Sequence, residues 1–115
     1  MAMPIAAIGG LRVKAGLRRP EFFFHSLRSL LQARRAEGVI AAKVFPAENM
    51  FFSLSVWDSA ASMKRFAMSG AHRRAMAASA RVAVVFPFHI FDCATVPTPQ
   101  EALQLWQARQ RERES

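Results

Sequence analysis

The chain carries little of what most active sites are built from. It has three histidines, one cysteine, eight acids and no tyrosine. Four of those eight acids are Asp92 and Glu101, Glu112 and Glu114, so a paired-carboxylate mechanism has little material. No Cys/His set has zinc spacing. Gly9-Gly10 lacks the pattern and lysine of a phosphate-cradling loop, and no Gly-x-Ser-x-Gly elbow occurs. What remains centres on His72, at the end of Ser69-Gly70-Ala71-His72. A histidine that opens a helix meets the positive end of the helix dipole, which disfavours its charged form. The neutral ring can accept a proton, bind a metal or donate a hydrogen bond. It can equally bond a backbone carbonyl and seal the corner between two helices. His25 follows three phenylalanines and either points into the same pocket or packs at its rim. His89, with Phe88 and Phe91 beside it, reads as a sheet or interface histidine, and Cys93 as a buried structural thiol.

The elements that must position His72 follow from periodicity. Ile5 to Lys14 reads as a strand in which Gly9-Gly10 marks a bulge or a close approach to the backbone. Glu21 to Ala36 repeats Phe23, Leu27, Leu30 and Leu31 at helical spacing, with Pro20 at its start and Gly38 past its end. Val39 to Phe45 and Met50 to Trp57 read as a hairpin around Ala47-Glu48-Asn49. In its second strand Met50, Phe52, Leu54 and Val56 share one face, and Phe51, Ser53, Ser55 and Trp57 the other. Asp58 or Ser59 caps a helix bearing Met63, Phe66 and Ala67, Gly70 interrupts it, and a short helix follows from about 71 to 81. Val82 to Asp92 reads as a long strand that Pro87 confines to an edge or a bulge. Gln100 to Glu112 forms a polar helix with Leu103 and Trp106 on one side, its last residues fraying.

The order β-α-β-β-α(α)-β is the split βαβ, or ferredoxin-like, α+β arrangement, spanning residues 1–96 with a helical tail over 97–115. A four-stranded antiparallel sheet with helices on one face leaves its other face bare. That face is apolar here, which predicts a homodimer in the manner of the dimeric α/β barrels. Between sheet and helices, Trp57, Phe66, Phe52, Met63 and Met76 would line an apolar pocket or simply make a core. His72 would be the pocket's polar group. Arg12 is a candidate for stabilising an anionic substrate or intermediate.

Across Phe51 to Met76, the strand-ending Trp57, the Asp58-Ser59 cap, Phe66 and the Ser-Gly-x-His turn resemble the antibiotic-biosynthesis-monooxygenase-like superfamily of dimeric α/β barrels. The same stretch is broadly similar to spheroidene monooxygenases, which oxidise carotenoids. The resemblance implies oxidation of a small hydrophobic or aromatic compound by oxygen without a cofactor, in a desolvated pocket with one or two polar groups. A non-catalytic binding dimer using the same pocket is the alternative. The haem-degrading branch uses a helix histidine and a first-strand asparagine. Here the histidine falls about one turn early, Met76 stands near the expected place, and the first strand has no asparagine. Haem on His72 stays geometrically open, since iron needs only an accessible neutral ring nitrogen.

Composition agrees with one soluble domain. The 115 residues are 52% hydrophobic, with a net charge of +8. The arginines are scattered without a block of five, so a solvated basic surface is favoured over nucleic-acid binding. No apolar run reaches the roughly 20 residues of a membrane span. The start is a poor signal peptide and the lone cysteine suits a reducing compartment, so the expected location is the cytoplasm.

Overall fold

The computed structural model describes residues 3–13, 19–70, 72–74, 76–77 and 83–114, with 19, 21–23 and 25 described as backbone only. Its elements are β1 (Ile5–Val13), α1 (Arg19–Arg35), β2 (Val39–Ala47), β3 (Met50–Trp57), α2 (Ala60–Ala67), β4 (Ala83–Val85), β5 (His89–Asp92) and a C-terminal helix (Pro99–Glu114). Helical backbone also runs through 70, 72–74 and 76–77. The sheet is antiparallel in the order β2-β3-β1-β4, with β5 also on β1. This is the ferredoxin-like α+β fold.

Local chemistry explains the boundaries. Glu48 and Asn49 both take left-handed φ, 53° and 59°, as a two-residue hairpin turn requires. Gly38, at φ 86°, ends α1, and a Cβ there would run into Ser62 and Asp58. Ser59 caps α2 by accepting from the Ser62 amide at 3.2 Å. The C-terminal helix opens on a reciprocal capping box. The Glu101 amide donates to Thr98 Oγ1 at 3.1 Å, and the Thr98 amide donates to Glu101 Oε1 at 3.0 Å. The helix runs on to Glu114 rather than fraying, with an Arg109–Glu112 pair at 3.0 Å in its last turns.

The long final strand is two strands. Pro87 has no amide hydrogen to give the ladder. The chain leaves the pairing at Phe86–Phe88, β4 pairs Leu11–Val13, and β5 pairs Ile5–Ile8. Both lie at the sheet edge where a proline is tolerated. Opposite the break stand Gly9 and Gly10, whose pairing with Ser53 and Phe52 on β3 is unbroken. They mark close approach, not a bulge. A Cβ on Gly9 would strike the Phe88 ring, and one on Gly10 would come within 2.6 Å of the Phe52 ring.

Register sorts the side chains onto two faces. Ala6, Ile8, Phe52, Leu54 and Val56 form the main buried cluster with Ala102 and Trp106 of the C-terminal helix. The apolar face expected to await a second copy is therefore covered, at least along its centre, by the chain's own helix. Cys93 joins the same cluster, and burial, then Asp92, pushes its thiol up. The other face carries Ala7, Gly9, Leu11, Phe51, Ser53, Ser55 and Trp57 beneath α1 and α2. On α1 the expected apolar stripe is rotated. Leu27 and Leu31 are 57% and 44% exposed, while Ser26, Ser29, Leu30 and Ala33 turn inward. Small side chains there leave room above the sheet. Among the described residues, no helix is long and apolar enough to cross a membrane.

Candidate active site

That room is a cavity of about 300 Å³ between the sheet and the helices. Its floor is made of small residues, because β1 and β3 pair Ala7 with Ser55 and Gly9 with Ser53. Its walls are apolar: Leu30 and Ala33 from α1, Met63 and Phe66 from α2, Met76, and Trp57 at the end of β3. His72 reaches it from the helical stretch beyond Gly70, where its amide donates to Ser69 Oγ at 3.4 Å.

Three rings stand in a row at one end. Trp57 stacks on Phe66 with centroids 5.2 Å apart, and Phe66 meets the His72 imidazole at 4.8 Å. Trp57 is fully buried. Its Nε1 and His72 Nδ1 are both sealed from solvent, and neither has a hydrogen-bond partner among the described residues. Each such group costs about 1–3 kcal/mol when left unpaired. Burial also holds the His72 imidazole below its ordinary pKa, so the ring is neutral near pH 7. The site thus offers one N–H donor and one neutral imidazole, on either side of a phenyl ring, beside a mostly apolar chamber to which Ser26, Ser29, Ser53 and Ser55 add hydroxyls. At Nδ1 the ring bonds no backbone carbonyl among the described residues.

The sequence-predicted residues divide. Trp57, Phe66, Met63, Met76 and His72 converge on the cavity. Phe52 borders it, but its ring is committed to the opposite face, 5.6 Å from Phe45 and 4.9 Å from Trp106. Arg12 is exposed at the far end of β1, its guanidinium 5.6 Å from the Phe86 ring, and does not line the cavity. As an even-numbered residue of β1 it shares the face of Ala6 and Ile8, so the pleat turns it away. His25 lies on α1, its side chain outside the described residues. His89 is half-buried on β5, stacked 5.1 Å from Phe91 and apart from the cavity. Among the described residues, no three His, Cys, Asp or Glu gather to hold a metal ion. His72 Nδ1 is sealed from solvent, so a haem on this residue would have to be held through Nε2.

Sequence reasoning missed the floor and the outer wall. Ser53 and Ser55 are ordinary until register sets them against Gly9 and Ala7. Phe88, Ile90 and Val85 close the side beside the strand break. The signal for Phe88 was the pairing of Pro87 with Gly9-Gly10, legible only once both were placed on adjacent strands.

The arrangement has solved counterparts. SnoaB from Streptomyces nogalater, a cofactor-independent oxygenase, superposes with a TM-score of 0.69 at 15% identity, over 84% of this chain and all of SnoaB. A Caulobacter crescentus protein named for the antibiotic biosynthesis monooxygenases gives 0.72 at 14% identity, over 82% of this chain and 92% of that one. A Bacteroides thetaiotaomicron protein of unknown function gives 0.72 at 14%, over 81% of this chain and all of the other. The fold is that of the antibiotic-biosynthesis-monooxygenase-like proteins. No protein-family model and no curated protein matches the sequence. At these identities the likeness shows the fold alone and leaves the chemistry to the site.

Proposed function

We propose that the chain is a monooxygenase-like enzyme that binds a small hydrophobic or aromatic compound in this cavity and oxidises it with oxygen, without a bound metal. The observation that carries the reading is the pair of unpartnered polar atoms, Trp57 Nε1 and His72 Nδ1, in an apolar chamber. A flat ligand bearing oxygen at two edges relieves both. Trp57 donates to one ligand oxygen, and the neutral imidazole accepts from a phenolic hydroxyl at the other. Both atoms are sealed in the unliganded packing, so the Phe66 ring between them must yield as the ligand seats.

The chemistry suits such a site. An electron-rich phenol gains reactivity toward oxygen when its proton is drawn away in a desolvated pocket. Oxidation of such a phenol to a quinone puts one atom of O2 on a ring carbon and releases the other as water, which carries away the hydrogens of that C–H and of the phenolic O–H. The cofactor-independent activity of SnoaB, which shares the fold, favours this course over a bound redox group. His72 is the catalytic residue of the proposal, with Trp57, Phe66, Met63 and Met76 binding the substrate.

Oxygen uptake over a panel of naphthols and hydroquinones tests it. His72→Ala is expected to lower turnover or ligand affinity at least about tenfold, the equivalent of about 1.4 kcal/mol. Unchanged values for both would remove His72 from the mechanism. Tight binding without oxygen consumption would instead establish a binding module.

A further inference from the structure

We propose that Phe88 sets the upper size of the ligand the cavity accepts, and that Trp106 positions Phe88 from the opposite face of the sheet. This rests on the cavity being the ligand site.

Phe88 sits in the strand break, where no ladder bond dictates its place. Two features supply what the ladder does not. On the outer face, the C-terminal helix ties the backbone of the break. Trp106 Nε1 donates to the Pro87 carbonyl at 2.9 Å, and Arg113 Nη2 donates to the Phe88 carbonyl at 3.4 Å. The Phe86 ring stands edge-on to Trp106 at 6.1 Å, and its amide donates to the Gly10 carbonyl at 2.9 Å. On the cavity face, the Phe88 ring lies directly on Gly9, in space that any Cβ there would fill.

The consequence is a wall in which Phe88 is the largest side chain shared by the cavity and the outer groove, with Ile90 beside it. Phe88 borders the cavity on one side and a groove beside the C-terminal helix on the other, and it remains 37% exposed. With the ring on Gly9, a ligand cannot extend over the glycine floor. With the ring gone, cavity and groove join. Trp106 never touches a ligand; it holds the carbonyl next to Phe88 and thereby the ring's seat.

Calorimetric titration with 1-naphthol, which has two fused rings, and 1-hydroxypyrene, which has four, tests this on the full chain. Wild type is expected to bind the naphthol at least about tenfold more tightly, the scale of discrimination a shaped apolar pocket provides. Phe88→Ala should bring the two affinities within about threefold, and Phe88→Leu should restore part of the gap. Trp106→Phe keeps a ring but cannot donate to Pro87, and should narrow the gap in the same direction. A gap unchanged in Phe88→Ala, or absent in wild type, overturns the inference while leaving the cavity reading intact. Wild type that binds neither probe fails the cavity reading itself. If Phe88→Ala does not fold, Gly9→Ala displaces the same ring and must close the gap.

Discussion

The two tryptophans stand on opposite faces of one sheet and are treated in opposite ways. Trp106 is an anchor: 6% exposed, packed on Phe52 and Phe86, its N–H donating to a carbonyl at 2.9 Å. Trp57 is equally buried, yet its N–H has no partner among the described residues. Around Trp106 the strands present Ile8, Leu54 and Val56, side chains that fill space. Around Trp57 they present Ala7, Gly9, Ser53 and Ser55, which leave it open. A core satisfies its polar groups and fills its volume. Among the described residues, the cavity face does neither.

The largest effect expected from this contrast is on stability. Trp106→Ala removes the ring that joins the C-terminal helix to the sheet, and should cost about 3–5 kcal/mol in urea unfolding. A loss below about 1 kcal/mol would mean the helix is not part of the core. A finer pair separates the faces without removing a ring. Trp106→Phe leaves the Pro87 carbonyl unpaired and should cost stability by about 1–3 kcal/mol. Trp57→Phe deletes a donor that satisfies nothing, so its stability loss should be the smaller of the two. Its affinity for 1,5-dihydroxynaphthalene, which carries an oxygen at each edge, should however fall about tenfold, as expected when a ligand oxygen loses its donor. Equal losses of stability in the two variants would erase the distinction drawn between the faces.

Much of the fold was legible because its signals are local. Alternation over Met50–Trp57 separated the two faces, Pro87 announced the edge, and Ser59 and Gly38 marked helix ends. The lining of the cavity was legible where it follows one helix corner, through Trp57, Phe66 and His72. What failed depended on contacts between distant segments. The apolar stripe of α1 gave no hint that Ser26 and Ser29 would face inward. Arg12 was assigned to the cavity on charge alone, against the alternation of its own strand. Phe52 borders the cavity as expected, but its ring lies on the other face, where the alternation of its own strand places it, against Trp106. The C-terminal helix looked polar enough to be a tail, because two buried residues, Ala102 and Trp106, are sufficient to dock it.

The smallest expected effect concerns pH and compares the histidines of the two faces. Burial lowers the pKa of His72 on the cavity side. On the outer side burial, then Arg109 and Arg113, lower that of His89, with Glu112 opposing. In the unfolded chain both titrate near 6.5. Between that value and the depressed folded one, the unfolded state binds more protons, so stability rises with pH across the window and is lost as pH falls below about 6.5. Below the folded value both states are protonated and the slope vanishes. His72→Gln and His89→Gln should each flatten the decline below about pH 6.5 in urea-unfolding series. Saturating 1-naphthol separates them, because a ligand that pairs with the neutral His72 ring holds its pKa lower still. The ligand should therefore steepen the decline of the His89→Gln protein and leave that of the His72→Gln protein unaltered. A ligand effect of the same size in both variants would place the bound molecule away from His72.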